Sequence, residues 1–247
     1  MKHFWIYGIN PVSEALRSNR CRIKEVWVAE GRGLTRLEGI VGMAESRGIP
    51  LIRVERSKLD SLTANAPHQG VVSFTDQFNY ADLDEVLQRG ADAPFLLVLD
   101  GIEDPRNLGA LIRTADACGV WGVIIPKDRA AGITPVVAKS SAGAVFHMPV
   151  VRVANISSTL RKIKERDIWV VGAAADAQTD LYHQDLTIPV AVVIGGEGRG
   201  MRPLIKRECD LLVSIPMKRN ANSLNASVAG SIILYEVIRQ REHNSHP

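Results

Sequence analysis

From Phe95 onward the chain alternates between two kinds of stretch. FLLVLD (Phe95–Asp100), WGVIIP (Trp121–Pro126), IWVVGAA (Ile168–Ala174), VAVVIGG (Val190–Gly196) and LLVSIPM (Leu211–Met217) are short apolar runs without polar alternation. A strand that meets water on one face shows a two-residue alternation, so continuous runs of this length predict strands buried on both faces of a parallel sheet. Helical segments separate most of them: Asn107–Cys118, Asn155–Arg166 and a short one near Pro203–Glu208. The chain closes on a long helix, roughly Asn225–Glu242. Strands alternating with helices predict an α/β layered domain over residues 94–247.

The first 75 residues show a different pattern. EVWVAE (Glu25–Glu30), PLIRVE (Pro50–Glu55) and GVVSF (Gly70–Phe74) predict strands, because β-branched and aromatic residues cluster between turn formers. NPVSEALRS predicts a helix with Asn10 as its cap, Pro11 at the first helical position and Val12, Ala15 and Leu16 on one face. Leu37–Gly48 predicts another helix, with Gly48 as the residue that ends it. A small α/β unit over 1–75 follows. Residues 76–93 are polar and acidic, hold at most one short helix and read as a linker.

A chain of 247 residues with 46% hydrophobic and 23% charged positions has ample apolar content for a core. The net charge of +3 permits a nucleic-acid partner without demanding one. Arg17, Arg20, Arg22, Lys24, Arg32 and Arg36 concentrate positive charge early, as either a solvated basic surface or one facing RNA. Three widely spaced cysteines, without a CxxC pair, predict reduced thiols in a cytoplasmic protein. The start lacks the apolar stretch of a signal peptide, and no apolar run reaches the roughly 20 residues that span a bilayer.

Ligands of open α/β sheets bind beyond the carboxyl ends of strands, so the residues that follow each run carry the candidate chemistry. GGEGRGM (Gly195–Met201) has four glycines in six residues, which lets backbone approach a ligand closely. It is neither a P-loop nor a GxGxxG motif, and an ordinary tight turn also fits it. In SLNAS, Ser223, Asn225 and Ser227 sit where the last helix begins; helix capping accounts for one of them and leaves two. In DPRNLGALIRTADACG, Leu108, Ile112 and Ala115 form the core stripe, and Gly109, Ala110 and Ala117 make the helix thin. Arg113 lies off that stripe, either as a surface arginine or as a bidentate grip for phosphate or carboxylate. No GxSxG elbow, HExxH motif or Cys/His cluster points to a serine hydrolase or a metal site.

NLGALIRTADACG, VVIGGEGRGM and SIPMKRNANSLNASVA together resemble the three motifs of the SpoU (TrmH) group of SPOUT RNA methyltransferases, in the same order and spacing, over about Phe95–Arg241. IYGINPVSEAL and HQGVVS resemble the amino-terminal domain of the group's ribosomal RNA guanosine 2′-O-methyltransferases, a domain of the L30e/L7Ae fold that helps bind RNA. The resemblance implies an α/β catalytic domain with a deep trefoil knot near its carboxyl end. It also implies S-adenosyl-L-methionine as cofactor, 23S ribosomal RNA as substrate and a homodimer with active sites at the interface. By motif position, Asn107, Arg113, Glu197, Ser223 and Asn225 form the polar catalytic set, and Gly195, Gly196, Ile215, Met217 and Leu224 touch the cofactor. The loop Lys218–Asn222 varies within the group.

Within that framework, arginine's high pKa makes neutral guanidine scarce. Arg113 therefore fits the holding of RNA phosphate and the stabilising of alkoxide charge better than proton abstraction. Glu197 is then the candidate base, with Asn107 and Asn225 orienting groups. Three other classes are open: a related enzyme acting on transfer RNA or another ribosomal site, a non-catalytic RNA-binding protein of the same fold, and a dinucleotide-dependent oxidoreductase.

Overall fold

The computed structural model describes residues 4–18, 20–31, 34–89, 93–218 and 223–243. The chain divides into two units, one made of residues up to 79 together with 133–147, the other of 80–132 and 148 onward.

The first unit contains strands β1 (Phe4–Tyr7), β2 (Ile23–Ala29), β3 (Leu51–Val54) and β4 (Val71–Thr75) in the order β1-β4-β2-β3. β4 runs antiparallel to β1 and β2, whereas β2 and β3 are parallel. A parallel pair needs a crossover, supplied here by α2 (Glu38–Ser46). That helix ends as its sequence predicts, with Gly48 at φ +63° donating its N–H to the Glu45 carbonyl. α1 (Ile9–Arg17) starts earlier than expected. Its cap is Gly8 at φ +96°, Asn10 makes no capping bond, and Pro11 is the third helical residue. The free N–H of Ile9 goes instead to Gln69 Oε1 at 3.2 Å. Because a helix leaves its first N–H groups unpaired, proline is tolerated at this third position as well. α3 (Arg56–Leu62) follows β3.

His68 is buried and doubly fixed. Its Nδ1 accepts the Gly70 N–H at 3.0 Å, which leaves the proton on Nε2 to donate to Asp60 Oδ1 at 2.8 Å. Of the early basic residues, Arg17 pairs with Glu14 and Lys24 with Asp76. Arg32 lies outside the described residues. Residues 133–147 carry α6 (Pro135–Ser140), capped by Thr134. They are held by Lys139 Nζ on Gln69 Oε1 at 2.8 Å, by His147 Nε2 on Glu14 Oε2 at 2.6 Å and by the Ser18 hydroxyl on the Phe146 carbonyl.

The second unit is built on seven parallel strands: β5 (Phe95–Asp100), β6 (Gly122–Pro126), β7 (Val150–Val153), β8 (Trp169–Ala173), β9 (Thr179–Asp180), β10 (Val190–Gly195) and β11 (Leu211–Ser214). Their order is β7-β6-β5-β10-β8-β11-β9. Every residue of β5 and β6 is buried, as continuous apolar runs require. α4 (Leu83–Leu87), α5 (Pro105–Ala117), α7 (Ile156–Lys164), α8 (Pro203–Glu208) and α9 (Ala226–His243) complete the unit. The segment 76–93 thus holds one short helix, capped by Asp82. α5 begins on an Asp104 cap with Pro105 first, so Asn107 lies inside the first turn and is free of capping duty. Leu108, Ile112 and Ala115 are buried as the wheel predicts, while Arg113 is exposed. α9 packs on both α5 and β10, with Thr114 and Ser231 joined hydroxyl to hydroxyl at 3.0 Å. No helix among the described residues is long and apolar enough to cross a membrane.

Candidate active site

The strand order puts a switch point at the centre of the sheet. β6 and β7 follow β5 to one side, and β10 enters late on the other, between β5 and β8. The connections leaving β5 and β10 therefore diverge and open a crevice at their carboxyl ends.

Two glycines shape it. A Cβ on Gly195 would lie 2.1 Å from the Met201 nitrogen, and one on Gly196 would lie 2.1 Å from the Gly101 carbonyl oxygen. Both obstacles are backbone, so neither position admits a side chain without moving the loop. The Gly196 N–H donates to the Asp100 carbonyl at 2.9 Å, which ties the glycine loop to the end of β5. The loop's far end is fixed by Asp100, whose side chain is fully buried. Asp100 Oδ2 accepts the Arg202 N–H at 2.8 Å, and Oδ1 accepts Nε at 2.7 Å and Nη2 at 2.6 Å. Sequence reading missed this pair, 102 residues apart; its one signal was a carboxylate closing an otherwise apolar run.

Three of the expected polar residues form one relay. Asn107 Nδ2 donates to Glu197 Oε1 at 2.6 Å, and the Glu103 N–H approaches Oε2 at 3.4 Å. Asn225 Nδ2 donates to Asn107 Oδ1 at 3.2 Å. Asn225 Oδ1 meanwhile accepts the Ser227 hydroxyl at 2.6 Å and the N–H groups of Ser227 and Val228 at 2.9 and 3.3 Å. One amide thus caps α9 with its oxygen and orients Asn107 with its nitrogen. Each donor in the chain has one acceptor, which fixes both amide orientations and aims Asn107 at Glu197.

A cavity of about 500 Å³ opens beside the relay, within the range of cofactor pockets. Gly195, Gly196, Glu197, Ile215, Met217, Ser223 and Leu224 line it together, at the ends of β10 and β11. Sequence reading did not find Ala173–Asp176 or Lys206, which also line it. Lys206 Nζ grips both Asp176 oxygens, at 2.7 and 2.6 Å, and holds that carboxyl below its usual range. The donor set fits S-adenosyl-L-methionine. Apolar side chains can enclose an adenine, side-chain-free backbone at Gly195 and Gly196 can approach it, and carboxylates suit a cationic sulfur and amine. Arg113 is not brought into the relay; it makes no hydrogen bond or ion pair among the described residues. Of the loop Lys218–Asn222, residues 219–222 lie outside the described residues.

Cysteine chemistry is disfavoured. Burial pushes the thiols of Cys21 and Cys118 up to about 11, and burial together with the neighbouring Asp210 charge pushes Cys209 to about 12. Among the described residues no group of three His, Cys, Asp or Glu side chains is placed to hold a metal ion.

Comparison with known proteins agrees with this arrangement. Residues 94–235 match the model of the SpoU rRNA methylase family, and 5–81 match that of RNA 2′-O ribose methyltransferase substrate binding. The chain is 44% identical to the 23S rRNA (guanosine-2′-O-)-methyltransferase RlmB of Pseudomonas syringae, over 98% of both chains. It is 44% identical, over 97% of both, to YacO of Bacillus subtilis, whose name places it among TrmH-family tRNA/rRNA methyltransferases. Among solved structures, the SpoU methyltransferase AviRb from Streptomyces viridochromogenes in complex with AdoMet superimposes with a TM-score of 0.84 at 28% identity, covering 98% of this chain and 91% of AviRb. With the family model matched over residues 94–235 and relatives 44% identical over nearly the full length, the chain belongs to the SpoU rRNA methylase family.

Proposed function

We propose that this protein is an S-adenosyl-L-methionine-dependent methyltransferase that modifies the ribose 2′-oxygen of a guanosine in 23S ribosomal RNA, in the cytoplasm, during ribosome biogenesis. The observation that carries the reaction class is the Glu197–Asn107–Asn225 relay at the edge of the 500 Å³ cavity. The RNA target follows the name of the RlmB relative, matched over nearly its full length. The substrate-binding family match over 5–81 supports RNA binding by the amino-terminal unit.

The bound cofactor supplies an electrophilic methyl on a sulfonium. The protein's own task is to align the acceptor and remove a proton, since a ribose hydroxyl is a weak nucleophile until that proton leaves. Glu197 takes the proton, and Asn107, fixed by Asn225, keeps the carboxylate in one orientation. Gly195, Gly196, Ile215, Met217 and Leu224 hold the cofactor, and Ser223 completes the polar rim. Arg113 holds RNA phosphate and stabilises alkoxide charge, a task suited to a planar guanidinium that stays charged. It does so in a homodimer. Val228 and Tyr235, one heptad apart on α9, are 48% and 56% exposed, an apolar face that suits a second copy. A knotted path near the carboxyl end is supported by the late entry of β10 between β5 and β8, with β11 passing outside β8 and α9 returning onto α5.

YacO's name favours one second reading, methylation of transfer RNA. Tritiated S-adenosylmethionine, offered with ribosomal and transfer RNA from cells lacking the gene, separates the two. One labelled 2′-O-methylguanosine in 23S RNA is the expected result. Label in transfer RNA alone overturns the substrate, and label in neither overturns the activity.

A further inference from the structure

The glycine loop has a second cavity on its β5–β6 side, of about 660 Å³, which shares Gly196, Glu197, Arg199 and Gly200 with the first. Five carboxylates (Asp100, Glu103, Asp104, Asp128 and Glu197) and three arginines (Arg129, Arg199 and Arg202) line it. The balance is net negative, so a phosphate is not its natural occupant. A neutral group that presents donors and acceptors side by side is.

Most of these charges are already committed. Asp100 and Arg202 hold each other, Asp104 caps α5, and Glu197 carries Asn107 and the Glu103 N–H. The side chains of Glu103, Asp128, Arg129 and Arg199 make no hydrogen bond or ion pair among the described residues. Asp128 and Arg129 are neighbours on one loop, which is fastened at both ends. The Lys127 N–H donates to the Val153 carbonyl at 2.8 Å and the Ala131 N–H to the Ile102 carbonyl at 2.8 Å. Arg129 itself is left-handed, with φ +56°, a conformation that a side-chain-bearing residue adopts only where its surroundings impose it. The structure therefore holds one free carboxylate and one free guanidinium side by side on a fastened backbone, in a cavity that reaches Glu197.

We infer that this second cavity reads the base of the acceptor nucleotide, with Asp128 and Arg129 as its guanine-determining residues. Guanine carries adjacent donors, N1–H and the 2-amino group, that a carboxylate accepts as a pair, and adjacent acceptors, O6 and N7, that arginine grips as a fork. Adenine and the pyrimidines lack that combination. The inference rests on the proposed guanosine target, and it makes the choice of base a property of the loop after β6, separate from the relay that performs the transfer.

The test uses the full-length protein and a synthetic hairpin carrying the mapped guanosine. Parallel hairpins carry inosine, which lacks only the 2-amino group, or 7-deazaguanosine, which lacks only the N7 acceptor. The unaltered protein is expected to prefer guanosine in kcat/KM by about ten- to hundredfold over either. Asp128→Asn is expected to lose the preference over inosine, and Arg129→Gln the preference over 7-deazaguanosine. Calorimetric affinity for S-adenosylmethionine is expected to stay unchanged in both. Active variants that keep the full preference overturn the base assignment alone. Loss of cofactor binding in both variants also overturns it, by making the residues structural. Failure of the unaltered protein to methylate any guanosine overturns the proposed function and the base assignment with it.

Discussion

The two units put their long-range polar bonds to different uses. In the amino-terminal unit His68 is satisfied locally, by Asp60 and Gly70, while the bonds of Ser18 with Phe146, Lys139 with Gln69 and His147 with Glu14 fasten residues 133–147 to the rest of the unit. In the catalytic unit the bonds that matter join Asp100 with Arg202, Asn107 with Glu197 and Asn107 with Asn225. All of these lie where β5 and β10 end. In the first unit distant bonds hold a returning segment in place. In the second they build a site, because a parallel sheet brings the ends of remote strands together.

The largest expected break is Arg202→Met. It leaves Asp100 buried with a single backbone donor, and an unpaired buried charge costs about 3–5 kcal/mol. Urea unfolding should show that loss, together with weakened cofactor binding as the glycine loop loosens. Asp100→Asn should cost less, since Arg202 is 52% exposed and can turn to water. In the other unit, His68→Ala should cost about 1–3 kcal/mol for a buried N–H left unpaired at Gly70, with cofactor affinity unchanged.

A smaller effect separates the units by pH. Hydrogen bonds from Arg161 and Ser157 hold the Glu208 carboxyl down to about 2, below its ordinary 4.5. A carboxyl depressed by folding contributes stability that is present above its unfolded value and is lost as pH falls toward the folded one. The catalytic unit should therefore lose stability between about pH 4.5 and 2, and Glu208→Gln should flatten that limb of the thermal-melting profile. The smallest effect is Asn10→Ala. Since Gly8 caps α1, the change should stay within about 0.5 kcal/mol, whereas loss of a working asparagine cap costs about 1 kcal/mol.

Much of this was legible from residues alone. The five apolar runs became β5, β6, β8, β10 and β11, and Asn155 caps α7. Short elements escaped. β7 is four residues with Arg152 among them, and β9 is two; neither is long enough to carry a pattern. α6 escaped because residues 133–147 belong with the first unit through tertiary bonds, such as His147 to Glu14, that no periodicity encodes. Asn10 misled because Gln69, sixty positions from Ile9, serves the helix start instead. In the site, motif position found Asn107, Glu197 and Asn225. Asp100, Arg202 and the Asp128–Arg129 loop needed the strand order.

The most direct test of the account is a single-turnover measurement on Glu197→Gln, with the unaltered protein, saturating S-adenosylmethionine and the 23S RNA substrate. With Glu197 as the proposed proton acceptor, the methyl-transfer rate should fall by about 10²- to 10⁴-fold while cofactor affinity stays within a few fold. A rate near that of the unaltered protein would contradict the assignment and leave the relay as scaffolding for the glycine loop.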